Sequence, residues 1–148
     1  MSEFHFYHPI EVRYGDLDPQ GHVNNSRYLT YMEQARIQYI HQLGLWEGDS
    51  FMDIGIILAD VHITFLAPIQ FKQVVRVGVH TVKMGIKSIT MEYQLEDAHS
   101  LAELARGSSV VVAYDYRNSQ TIPIPERWRQ VISQFEGALL APASHSGS

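Results

Sequence analysis

Only one stretch of this chain, from about Asn25 to Leu43, has a sustained helical period, and nearly everything after it alternates like strand. That imbalance restricts the fold to one in which a single long helix serves a whole sheet. Tyr28, Met32, Ala35, Tyr39 and Leu43 recur at helical spacing, while Leu29, Ile37 and Ile40 widen the apolar surface. An apolar surface broader than one stripe predicts a helix set deep in the fold with a sheet wrapped around it. Asn24 or Asn25 offers the N-cap oxygen, and Gly44 stands where a left-handed residue ends a helix.

The strand signal is a period of two. Ile57, Ala59, Val61, Ile63 and Phe65 alternate with more mixed neighbours, and Val75, Val77 and Val79 repeat the pattern. Ile89, Met91, Tyr93 and Leu95 alternate with Ser88, Thr90, Glu92 and Gln94, and Gly85 places a hairpin near Lys83 to Ile86. A last long strand covers Leu101 to Tyr116, with Val110, Val112, Tyr114 and Tyr116 on one side. A meander is the simplest connection. Ahead of the helix, Phe4 to Arg13 reads as a first strand and YGDLDPQGHVNN as an irregular loop, because Gly, Asp, Pro and Asn accept tight turns. Pro123 and Pro125 end the sheet region, and Glu126 to Phe135 predicts a short terminal helix. The order implies an α+β fold, a long helix on one face of a curved antiparallel sheet of about five strands. Residues 1–137 are expected to form one domain and residues 138–148, which end in APASHSGS, a flexible tail.

Composition narrows the chemistry. A net charge of −5 argues against a broad nucleic-acid surface, which needs clustered Lys and Arg. No run approaches the roughly 20 apolar residues that cross a bilayer, and the start MSEFHFYHPIEVRYGD lacks the basic and apolar regions of a secretion signal. The expectation is a cytoplasmic protein without membrane insertion. With no cysteine, the chain has no disulfide scaffold, Cys nucleophile or thiolate metal site. Catalysis is left to carboxylate, imidazole, hydroxyl or backbone groups. His5, His8, His62 and His80 invite a metal reading, but no H-E-x-x-H or comparable set accompanies them, so no metal is expected. No P-loop or dinucleotide glycine fingerprint appears, so no cofactor is expected and any nucleotide would be held on the surface.

The most informative segment runs from Arg13 through Asp16, Asp18, Gly21, His22, Val23, Asn24 and Asn25 into a helix carrying Tyr28, Tyr31, Met32, Glu33 and Arg36. Its pattern, D-x-D-x-x-G-H-V-N-N with an aromatic three residues on and then E-x-A-R, resembles the hotdog-fold acyl-CoA thioesterases of the 4-hydroxybenzoyl-CoA thioesterase family. The resemblance is specific over about residues 10 to 45; beyond them it is one of length, order and hydrophobic pattern. It implies that Asp18 attacks the thioester carbonyl or activates water, and that the backbone N–H of Asn25 polarises that carbonyl. His22 departs from the founding enzyme type and agrees with the H-V-N-N branch. The resemblance also implies homodimers, with sheets joined edge to edge and the active site between subunits, that often pair into homotetramers.

Physical chemistry supports the same residues. An attacked thioester carbonyl becomes an oxyanion, and a helix N-terminus offers free N–H groups and a favourable dipole to receive it. A carboxylate just before that helix can act as nucleophile or as general base toward water, a choice left open here. His22 can position Asp18, titrate during turnover, or merely bond within the loop. Glu33 lies eight residues beyond Asn25, on roughly the same helix face, where it can orient water or simply pair with Arg36. Asn24, Tyr28 and Tyr31 are the candidate substrate-binding residues, although Asn is also a favoured cap and aromatics at helical spacing also serve core packing. Lys83, Lys87 and Arg106 can meet CoA phosphates or remain solvated. The expected activity is hydrolysis of acyl-CoA; a noncatalytic acyl or acyl-carrier binding module and a hotdog enoyl hydratase or dehydratase are the alternatives.

Overall fold

The alternating segments become six antiparallel strands and the helical ones two helices in the computed structural model, which describes residues 4–137. The strands are β1 (Tyr7–Ile10), β2 (Ile56–Phe65), β3 (Val75–Met84), β4 (Ser88–Asp97), β5 (Glu103–Asp115) and the two-residue β6 (Gln120–Thr121). Helix α1 (Asn25–Gln42) follows β1, and α2 (Glu126–Glu136) closes the described chain. The expected tail at 138–148 lies outside the described residues.

The sheet order is β1-β3-β4-β5-β2, with β6 paired to β5. The predicted hairpin joins β3 to β4, and β3, β4 and β5 form the predicted meander. The meander does not extend to β2, which pairs with β5 and not with its sequence neighbour β3. Residues 66–74 therefore cross the ends of two intervening strands, about 14 Å at three strand spacings. A period of two reports which face a side chain takes and says nothing about which strand lies alongside, so this crossover left no trace in the pattern.

Burial follows the alternation closely in the sheet centre. Val75, Val77, Val79, Ile89, Met91, Tyr93 and Leu95 are buried under α1 or beside it. On β2 the alternation is broken by a register shift between Leu58 and Asp60, and Ile57, Leu58 and Phe65 remain exposed because this strand has no neighbour on its outer side among the described residues.

Helix α1 buries Tyr28, Tyr31, Met32, Ala35, Arg36, Tyr39 and Ile40 against the sheet. It is seated on one face and not enclosed: Leu29, Thr30, Glu33 and Gln34 face outward. Gly107 on β5 allows the close approach, since a Cβ there would meet Met32 Cε at 2.8 Å and the His62 carbonyl at 2.9 Å. Arg36 is drawn inside, where its guanidinium donates to the Tyr93 hydroxyl at 3.1 Å and that hydroxyl bonds Ser109 at 2.6 Å. Helix α2 buries Trp128 and Ile132, and its Glu136 carboxylate accepts from the Tyr39 hydroxyl and from the Thr81 amide at 3.1 Å.

Candidate functional site

The loop before α1 is shaped by its own aspartates. The Asp18 amide donates to the His22 carbonyl at 2.8 Å, and the Asp18 carbonyl accepts from Gly21 N–H at 2.9 Å. The reversal needs a left-handed residue, which Gly21 supplies at φ 83° without the steric cost of a Cβ. Asp18 Oδ1 accepts from the backbone N–H of Gln20 at 3.0 Å and of His22 at 3.2 Å. With its carboxamide nitrogen turned inward, Gln20 reaches both Asp18 oxygens at 3.2 Å. The carboxylate is thus held in one orientation by these donors.

Asp16 anchors the other side. Its Oδ2 accepts from Arg13 N–H at 3.0 Å and from the Tyr31 hydroxyl at 2.7 Å, Arg27 stands 3.6 Å from Oδ1, and its carbonyl accepts from Asn24 N–H at 2.8 Å. The loop is also pinned to the β2–β3 connection, through Val23 N–H on the Ile69 carbonyl at 2.8 Å and a bridge between His22 and Gln70.

At the tip of α1 the three leading N–H groups have different fates. Asn24 caps the helix, its side-chain oxygen accepting from Ser26 N–H at 2.9 Å, while its carbonyl accepts from Arg27 N–H at 2.9 Å. Among the described residues nothing accepts from the Asn25 N–H. It is an unengaged donor at the positive end of the helix dipole.

Asn25, Asp18, His22 and Tyr28 line one open cleft of about 280 Å³, whose far wall is Phe65, Leu66, Ala67 and Pro68 at the end of β2. Tyr28 stands edge-on to Phe65 with ring centroids 4.9 Å apart, and its hydroxyl points to the Ala67 carbonyl at a long 3.5 Å. Burial raises the Tyr28 pKa, and the negative charge of Asp18 adds to the rise.

Other candidates lie elsewhere. The Tyr31 phenol, its pKa pushed up by burial and then by its bond to Asp16, lines a separate cavity of about 530 Å³ with Arg13 and Arg27. Glu33 is exposed, 4.0 Å from Arg36, and does not line the cleft. Eight helical residues advance about 800°, which leaves Glu33 about 80° off the Asn25 direction. Asn24 spends its side chain on the cap. Arg106 pairs with Glu103 at 2.6 Å and Lys87 bonds Thr121 at 3.1 Å, so neither stands at the cleft. Among the described residues no group of three His, Asp or Glu side chains is placed to hold a metal ion, and no described helix is long and apolar enough to cross a membrane. Sequence reasoning missed Phe65 and Pro68; no local pattern announces that the end of β2 returns to the loop.

Residues 12–132 match the family described as the thioesterase-like superfamily. A thioesterase from Thermus thermophilus, crystallised with coenzyme A and Zn, is 34% identical, with a TM-score of 0.81 over 93% of this chain and 98% of that one. A thioesterase superfamily protein from Jannaschia sp. CCS1 is 27% identical, with a TM-score of 0.81 over 93% of this chain and 87% of that one. Slr0204 of Synechocystis, a 1,4-dihydroxy-2-naphthoyl-CoA thioesterase, shares the fold at 21% identity and a TM-score of 0.76, over 86% of this chain and 94% of that one. The uncharacterized protein YsmA of Bacillus subtilis (strain 168) is 26% identical over 92 residues, which span 62% of this chain and 61% of that relative. The match over residues 12–132 and the shared sheet-and-helix architecture together make this chain a member of the thioesterase-like superfamily, with its hotdog fold.

Proposed function

We propose that the protein hydrolyses acyl-CoA thioesters to free acid and CoA, with Asp18 as the reacting carboxylate and the Asn25 N–H as the oxyanion donor. The observation that carries this reading is the meeting of a fixed carboxylate and an unengaged helix-tip N–H in one cleft. The thioester oxygen would lie at the Asn25 amide, where charge developing on it meets the helix dipole. Asp18 then acts by one of two routes. As nucleophile it bonds to the carbonyl carbon, the C–S bond breaks, CoA leaves as thiolate, and water cleaves the mixed anhydride. As general base it takes a proton from water, whose oxygen attacks the same carbon; the adduct then collapses, the C–S bond breaks and CoA leaves as thiolate, with the proton held by Asp18 going to the sulfur or to solvent. His22, half-buried beside Asp18, is the group placed to relay a proton from Asp18 or from solvent to the departing sulfur.

The Thermus relative crystallised with coenzyme A supports CoA as the carrier. A second copy of the chain would cover the cleft from its open side, where β2 has an edge unpaired among the described residues, and dimers would pair into tetramers. A cytoplasmic acyl-CoA pool is the expected substrate source.

The test is thiol release from a panel of acyl-CoAs. The wild type should liberate CoA, and Asp18→Asn should lower kcat by about 10²–10⁴ with the fold retained by circular dichroism. A protein that binds acyl-CoA without releasing thiol is a binding module, and one that alters the acyl chain while CoA stays attached is a hydratase. Unchanged turnover in Asp18→Asn removes Asp18 from the mechanism.

A further inference from the structure

We propose that Phe65 is the gate that sets how long an acyl chain the cleft admits; this rests on the thioesterase reading above. The ring of Phe65 is held edge-on against Tyr28, at an interplanar angle of 82°, where the cleft beside Asp18 meets β2. Tyr28 is buried and belongs to α1, so that ring is the fixed member, while Phe65 is 44% exposed and can be resized without opening the core.

Behind Phe65 the same face of β2 continues as Ile63 and Val61. The register fixes that face, because Phe65 pairs with Ala105, Ile63 with Gly107 and Val61 with Ser109. Ala105 and Ser109 are buried, and Met32 of α1 sits over Gly107, so the row lies on the helix side of the sheet. Ile63 and Val61 are only half-buried, leaving apolar surface in line with the cleft and beyond the ring. An acyl chain whose carbonyl lies between Asp18 and Asn25 would meet Phe65 first, and each methylene that passed the ring would gain apolar contact along this row.

Burying one methylene is equivalent to about a fourfold gain in binding. Reducing Phe65 should therefore tilt specificity toward long chains, and enlarging it should tilt specificity the other way. The experiment measures kcat/KM for straight-chain acyl-CoAs from acetyl to dodecanoyl with wild type, Phe65→Ala, Phe65→Leu and Phe65→Trp. The long-to-short ratio should rise about 10-fold or more in Phe65→Ala, rise less in Phe65→Leu, and fall below wild type in Phe65→Trp.

In parallel, the same panel is titrated calorimetrically against Asp18→Asn with and without each Phe65 change. A wild type that releases no thiol while the binding profile still shifts with Phe65 size overturns the hydrolytic reading and leaves the gate standing. Profiles that keep their shape in all three variants, with any loss equal across chain lengths, overturn the gate whatever the turnover.

Discussion

Two aspartates two residues apart in one loop end in different surroundings, and the difference separates a support from the proposed reagent. Asp18 faces the cleft; Asp16 turns back into the protein and gathers the Arg13 amide, the Tyr31 hydroxyl and the Asn24 amide around itself. Through its bond to Asp16, Tyr31, one of the substrate-binding candidates, holds the loop that carries Asp18. Tyr31→Phe should cost about 1 kcal/mol in urea unfolding, the net value of one hydrogen bond. Asp16→Ala should cost about 1–3 kcal/mol, since it leaves the Tyr31 hydroxyl and Arg13 amide without their acceptor. Both should lower kcat through misplacement of Asp18, and a kcat equal to wild type in Asp16→Ala would show the anchor to be dispensable.

At the scale of elements, the start of α1 does two jobs with adjacent residues. Asn24 satisfies Ser26 N–H, and its carbonyl takes Arg27 N–H, which leaves the Asn25 N–H as the donor without a partner among the described residues. Asn24→Ala should cost about 1 kcal/mol of stability, read as a lowered unfolding midpoint. It should also reduce kcat, because a frayed first turn no longer fixes the direction of the Asn25 N–H. A stability loss without a rate loss would place the oxyanion donor elsewhere. Here the sequence was legible: DPQGHVNN contains the turn glycine, the cap and the carboxylate proposed to react within one short stretch, so local rules reach all of them. Arg36 was not legible. Its spacing from Glu33 suits a surface pair, but the sheet brings Tyr93 and Ser109 beneath it and the guanidinium is buried.

For the whole molecule the decisive surface runs along β2. A ten-residue strand with no neighbour on its outer side among the described residues, and with Ile57, Leu58, Phe65 and the adjoining Leu66 between 40% and 46% exposed, is a surface that invites strand pairing. A second copy across this edge is the expected partner, and it would enclose a cleft that one chain leaves open. Sedimentation over a dilution series should show a dimer or larger assembly. Leu58→Lys should shift it toward monomer and lower thiol release in proportion, because Leu58 is already exposed and its replacement spares the core. Monomer at every concentration would remove the shared-site arrangement.

The sequence by itself determined most of the elements and half of the candidate site. The limits of α1, the alternation of Val75 to Val79 and Ile89 to Leu95, and the grouping of Asp18, His22, Asn25 and Tyr28 all follow from spacings shorter than a helical turn or two, where backbone geometry alone fixes what lies near what. Tertiary structure decided the rest. That β2 lies beside β5, that Phe65 closes on Tyr28 from 37 positions away, and that Tyr31 and Glu33 face away from the cleft depend on how the sheet is ordered and how α1 is rotated upon it. Those are set by packing between segments far apart in the chain, and a local period carries no information about them.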